Sequence, residues 1–233
     1  MRTPVLLLLA FSTAGIGPRL VQSTTTDDGW TREFHVEPGE LASTGRNPYF
    51  ILDPGYALVL EGGTTRLVIT VLNETRRIDN VETRVVEERE TEKDQPVEVS
   101  RNFFAISTRT NSVFYFGEEV DTYKDGKVSG HEGAWQSGTG GAHFGLMMPG
   151  LPLLKARYYQ EIAPKVAMDR AEIMSVTDTL TTPAGKFTNV LRTTESTPLE
   201  LMSKESKCYA AGIGLIQDGS LKLVKYGVGI SGR

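Results

Sequence analysis

One cysteine, three histidines and two tryptophans are spread over 233 residues, and each scarcity removes a class of answer. Cys208 has no second cysteine to pair with, so no internal disulfide staples the fold and stability must come from a packed core. A reactive thiol is the functional alternative for Cys208, set against a small strand residue facing the interior. No uninterrupted apolar stretch reaches the roughly 20 residues that a helical membrane span needs, so membrane insertion is not expected. A formal net charge of −4 gives nucleic acid and anionic lipid no electrostatic footing, and neither is expected as a partner. Gly-x-Ser-x-Gly does not occur, which removes the usual serine-hydrolase signature. A sustained helical period is also missing, and only Pro149 to Ala156 offers room for a short helix.

What is present fits one compact domain, with 39% hydrophobic and 23% charged residues. The opening MRTPVLLLLAFSTAGIG places Arg2 before a short apolar run, the layout of a secretory signal peptide over residues 1–23, with cleavage after Ala14 or Ser23 both tolerable. No cysteine lies near either position, which closes the lipoprotein route. Export implies a secreted or periplasmic protein, and a monomer is expected. Residues 24–45 read as an extended arm whose Trp30 and Phe34 would dock rather than face water. A single antiparallel domain then runs from 46 to 233.

Strand follows strand in that domain. Leu67, Ile69 and Val71 share one face by the period of two, after a turn at Gly62-Gly63. Phe103 alternates with Phe104 and Ile106, and Phe114 and Phe116 alternate with Val113 and Tyr115. Apolar residues on both faces predict a part of the sheet that is covered on both sides. Between these stretches, VVEERETEKDQPVEV reads as two strands turning in water near Asp94 to Pro96, or as an inward patch of Glu87, Glu88 and Glu90 lining a polar cavity. Asp125-Gly126, Pro183-Ala184-Gly185 and Asp218-Gly219 are turn chemistry between later strands. So many strands joined by short turns predict an all-β fold, an antiparallel meander curled into a barrel or half-barrel.

The main interruption is residues 131–150, HEGAWQSGTGGAHFGLMMPG, read as a glycine-rich loop packed over the sheet. His131 and His143 with Glu132 are candidate metal ligands, but their spacing matches no helical or hairpin metal motif, so no metal or other cofactor is expected. Gly138 to Gly141 lacks the strand, helix and lysine that a phosphate cradle needs. Glu132, Glu161 and Asp169 are candidates for acid and base work, the first near Trp135 and the second near Tyr159.

Several strings occur together: Asp53-Pro54-Gly55, Arg84 to Glu90, Tyr115-Phe116-Gly117-Glu118, Glu132-Gly133-Ala134-Trp135, Met148-Pro149, Tyr159-Gln160-Glu161 and Tyr209 to Ile216. Over about residues 48–217 the chain resembles a family of uncharacterised exported bacterial β-rich proteins with no established activity. The resemblance implies a fold in the style of lipoprotein-carrier half-barrels. His131, His143 and Ala211 stand where the family carries other residues, which speaks against a histidine chemistry common to the family.

The expected function is a binding module for a small, partly apolar ligand, a lipid or hydrophobic peptide, capped by 131–150. Trp135, Phe144, Met147, Met148, Glu132, Tyr159 and Glu161 are the expected ligand contacts. An extracellular hydrolase using paired carboxylates, and a structural protein without a cavity, are the alternatives. No catalytic residue is assigned.

Overall fold

A computed structural model describes residues 28–230, and the signal-like residues 1–23 lie outside that range. The structure is 66% strand and 1% helix, in keeping with the period-two pattern. The strands are β1 (Leu41–Ala42), β2 (Arg46–Asn47), β3 (Phe50–Ile51), β4 (Tyr56–Gly62), β5 (Thr65–Ile78), β6 (Val81–Glu92), β7 (Gln95–Ser107), β8 (Val113–Lys124) and β9 (Lys127–Gly130). They continue as β10 (Trp135–Gln136), β11 (His143–Met148), β12 (Arg157–Tyr159), β13 (Glu161–Ile162), β14 (Arg170–Thr182), β15 (Gly185–Thr197), β16 (Glu200–Ala210), β17 (Gly214–Asp218) and β18 (Leu221–Val228). The one helical turn described is a 3-10 turn at Pro38–Glu40. Residues 149–156, where a short helix would fit, form turns and irregular chain instead.

Thirteen strands run antiparallel in the order β12-β14-β15-β16-β17-β18-β4-β5-β6-β7-β8-β11-β13. Pairing of β18 with β4 joins the last described strand to the first long one, and the sheet curls into a nearly closed barrel with one unsealed seam. Tight turns keep neighbours adjacent. Asp79-Asn80, Lys93-Asp94 and Asp125-Gly126 all adopt positive φ, as primed two-residue hairpins require.

The seam falls between β12 and β13, which are consecutive in the chain with only Gln160 between them. Residues 157–159 pair with β14 and residues 161–162 pair with β11, so one short segment changes partners halfway and bridges the gap covalently. Gly145 makes this crossing possible. A Cβ there would lie 2.2 Å from the Gln160 carbonyl oxygen, closer than any side chain tolerates.

Residues 131–150 are less of an interruption than their composition predicts. β9, β10 and β11 pair successively along one edge of β8, and the glycines serve the turns between them. Gly117 within β8 has φ +133, and a Cβ on it would meet the Trp135 carbonyl oxygen at 2.3 Å.

Both faces of β6 to β8 are buried over the part that carries the aromatics, as their alternation predicts. Phe104, Ile106, Val113 and Tyr115 face the barrel interior with Leu58, Leu60 and Trp135. Phe103, Phe114 and Phe116 face outward with Val81 and Val85, and are covered by Phe34 and Val36 of the arm together with Phe144 and Leu146. Each such aromatic contributes on the order of 2–3 kcal/mol by leaving water. The arm also reaches the seam. Thr31 pairs in parallel with Tyr158, and Trp30 lies over the Arg170 guanidinium at 4.3 Å and edge-on to Tyr159. Cys208 is buried, and burial pushes its thiol pKa up, the setting of an inert interior residue.

Candidate ligand cavity

Inward-facing positions change character along each strand. On β7 the sequence of alternate residues is Glu98, Ser100, Asn102, Phe104, Ile106. On β6 it is Glu90, Glu88, Val86, and the register sets Glu90 opposite Glu98 and Glu88 opposite Ser100. The barrel is therefore apolar toward one end and acidic toward the other. At the acidic end lies a cavity of about 470 Å³, within the usual range for small-molecule sites.

Eight carboxylates line this cavity and one ammonium opposes them. Glu98, Glu132, Asp169 and Glu200, with Val166 and Leu199, are exposed and form the mouth. Glu88, Glu118 and Glu161 stand deeper, around the half-buried Lys207 and the buried Glu195. Their remaining accessible surface faces the cavity, so protein walls surround them even where a water molecule can touch them.

Enclosure of like charges sets the protonation states. Burial, followed by the neighbouring carboxylates, raises Glu88 from 4.5 to about 7, with Lys207 acting in the opposite direction. Burial likewise lifts Glu118 to about 7, although its hydrogen bond with Tyr115 works against the rise. Glu161 is pushed well above the carboxylate range by burial and by the charges of Glu118 and Asp169. Asp169 is raised by burial and by Glu195. Lys207 loses hydration on burial, yet the charges of Glu195 and Asp218 hold its pKa well above the ordinary value, so it is an ammonium ion and not a nucleophilic amine.

Hydrogen bonds fix the polar wall. The Tyr115 hydroxyl donates to Asn102 Oδ1, while Asn102 Nδ2 donates to the Val86 carbonyl at 3.3 Å and to Ser100 Oγ at 3.1 Å. Gln160 Nε2 donates to Glu195 Oε1 at 3.3 Å. β6, β7 and β8 are tied together by the first set, and β15 is tied to the seam segment by the second.

Of the ligand contacts expected from sequence, Glu132, Met147 and Glu161 line the cavity and Asp169 joins them. Trp135 and Met148 are buried in the interior core, Phe144 packs on Phe114 and Phe116 outside the barrel, and Tyr159 lies under Trp30. These four do not line the cavity. Glu88 and Glu90 turn inward, with Glu90 at a small side pocket beside Glu98, whereas Glu87 pairs with Arg89 at 3.4 Å. His131 Nδ1 sits 2.8 Å from the Val120 carbonyl and 2.9 Å from Asp121, while His143 stands opposite Ile162. Among the described residues no group of three His, Cys, Asp or Glu side chains is arranged to hold a metal ion.

Sequence reasoning missed Glu98, Glu118, Glu195, Lys207 and the side chain of Gln160. Period-two counting from Glu88 would have reached Glu98 and Ser100 across the hairpin. No local signal connects Glu195 or Lys207 to Glu88, because only barrel closure brings them together.

The chain matches no protein-family model, no curated protein and no solved structure.

Proposed function

We propose that this protein is a binding module whose barrel interior receives a small cationic ligand, with Glu132 and the turn at 131–134 at its mouth. The observation that carries the reading is the excess of eight carboxylates over one ammonium around a 470 Å³ cavity. Like charges confined in a poorly solvated space repel one another and take up protons, and a bound cation relieves both effects. A lipid or hydrophobic peptide lying against this wall would remove water from carboxylates without pairing them, which is costly. The ligand class therefore moves from the apolar molecule expected from sequence to an amine-bearing one. A purely structural role gives no account of an acidic cavity of this size. The proposal includes export, secreted or periplasmic, on the strength of the sequence of residues 1–23.

Thermal-shift and native mass spectrometry measurements against a panel of small amines, small carboxylic acids and fatty acids test the reading. Amines should raise the melting temperature and appear as one-to-one complexes. Stabilisation by fatty acids with none by any amine would replace it with the lipid-carrier reading.

A second reading, a hydrolase using paired carboxylates, draws on Glu161, whose pKa burial and the charges of Glu118 and Asp169 raise well above the carboxylate range in an open cavity, the kind of pairing that acid and base catalysis uses. Turnover of a glycoside or ester substrate that is abolished in Glu161→Gln would favour it.

A further inference from the structure

The acidic chamber continues inward. A smaller crevice of about 60 Å³ adjoins it, and Glu88, Met147 and Lys207 belong to the walls of both. Tyr49, Phe50, Leu58, Ile69 and Leu215 form much of the remaining wall of that crevice. Register explains the change. Ile69 lies opposite Glu88, and two residues further along the pair of strands Val71 lies opposite Val86, so the lining passes from charged to apolar within roughly 7 Å. Met147, flexible and polarisable, stands at the junction and can adapt to what passes it.

The polar chamber also presents an acceptor for a ligand. Gln160 is 4% exposed and lines the chamber. Its Nε2 is used twice, toward Glu195 Oε1 and toward the Met147 sulfur at 3.7 Å. Its Oε1 accepts no hydrogen bond among the described residues. Gln160 is buried as a residue and lines the chamber, so its amide oxygen, without a protein donor among the described residues, is open to an N–H donor there. Lys207 is committed elsewhere, 3.2 Å from Glu195 and 3.5 Å from Asp218.

We propose that the ligand is a primary amine with a short apolar substituent: its ammonium lies against Gln160 Oε1, Glu118 and Glu161, and its substituent passes Met147 into the crevice. This inference rests on the cationic-ligand reading and adds the second half of the ligand and its orientation. The ammonium supplies the donor that Gln160 lacks and the charge that the carboxylates lack. The substituent removes apolar wall from water. A fatty acid would set its carboxylate among carboxylates.

Titration calorimetry of the purified protein at pH 8 with n-alkylammonium ions from methyl to hexyl, and with alkyl carboxylates of matched length, tests this. Affinity should rise about fourfold per methylene until the crevice is full and then level off, and the carboxylates should not bind. Ile69→Phe, which narrows the crevice, should level the series at a shorter chain. Gln160→Leu should weaken every ammonium about tenfold. The wild-type series needs no variant to fold. Equal affinity for methyl and hexyl, or a chain-length gain unaltered in a folded Ile69→Phe, overturns the two-part ligand and leaves the cationic reading standing. Failure of every ammonium ion to bind overturns both.

Discussion

Lys207 Nζ stands 3.2 Å from Glu195 Oε2, inside a cavity where, among the described residues, it is the one cation facing eight carboxylates. The pair joins adjacent strands, β15 and β16, at the point where the lining turns from acidic to apolar. Asp218 on β17 completes the arrangement at 3.5 Å. Removing the ammonium would leave two enclosed carboxylates without a counter-charge.

Lys207→Met is therefore expected to destabilise the protein by on the order of 3 kcal/mol at neutral pH, measured by urea denaturation. The loss should shrink at pH 5, because burial raises the pKa of Asp218 and lets it take up a proton there. The same variant should bind methylammonium more tightly than wild type, because a competing internal cation is gone. Unchanged denaturation midpoints at both pH values would show that the pair carries no structural weight.

Protonation of the chamber gives a stability profile of definite sign. Glu88 and Glu118 are raised from 4.5 to about 7, so each holds its proton more tightly folded than unfolded. Their contribution is complete below about pH 4.5 and is lost as pH climbs through about 7. Ligand-free protein should thus melt at a higher temperature at pH 5 than at pH 8, and a Glu88→Gln, Glu118→Gln double variant should flatten the difference. Amine affinity should follow the opposite course and increase through pH 7, since protons and the ammonium compete for the same carboxylates.

The seam offers a steric test. Gly145→Ala places a Cβ 2.2 Å from the Gln160 carbonyl oxygen, and neither backbone can move without breaking strand pairing. A loss of about 3 kcal/mol is expected. Gly140→Ala meets nothing within 4 Å but retains φ +62, and should lose only about 1–2 kcal/mol for the left-handed backbone. Equal losses at the two positions would mean that the crossing at Gln160 is looser than described.

Trp135 is 6% exposed and sits edge-on to Tyr115 with ring centres 5.5 Å apart. Replacing it with alanine should lower stability by on the order of 3 kcal/mol and loosen β10 from β8, with faster amide exchange at Ser137, whose N–H donates to the Phe116 carbonyl.

The arm can be weighed in the same way. Tyr159 donates its backbone N–H to the Thr31 carbonyl at 2.9 Å, and Trp30 packs over Arg170 and Tyr159. Trp30→Ala should cost about 1–2 kcal/mol, and hydrogen exchange at the Tyr159 amide should speed up while exchange in β5 and β6 does not.

The strand-by-strand reading came from local chemistry. Alternation of Leu67, Ile69 and Val71, the opposed faces of Phe103 and Phe104, and turns such as Asp125-Gly126 each report the conformation of a few neighbouring residues. The covered outer face of β6 to β8 was legible for the same reason, since two apolar faces on one strand demand two coverings. Composition also placed Trp30 and Phe34 of the arm against the sheet. The glycines of residues 131–150 point to a loop because they outweigh its short strands, whose stability comes from pairing with β8 rather than from their own propensity.

The cavity was beyond such reading. Nothing local links Glu132, Glu161 and Asp169, and Glu88 and Glu90 fit a solvated hairpin as well as an inward patch, because period two says which residues share a face but not which face becomes the inside. Closure of β18 on β4 decided that, and it brought Glu195 and Lys207 from the second half of the chain opposite Glu88 and Glu118 from the first. A carboxylate on an open sheet is hydrated and ordinary. Enclosed in a barrel with others of its kind it shifts its protonation and acquires an affinity for cations, and that change depends on distances that only the tertiary fold sets.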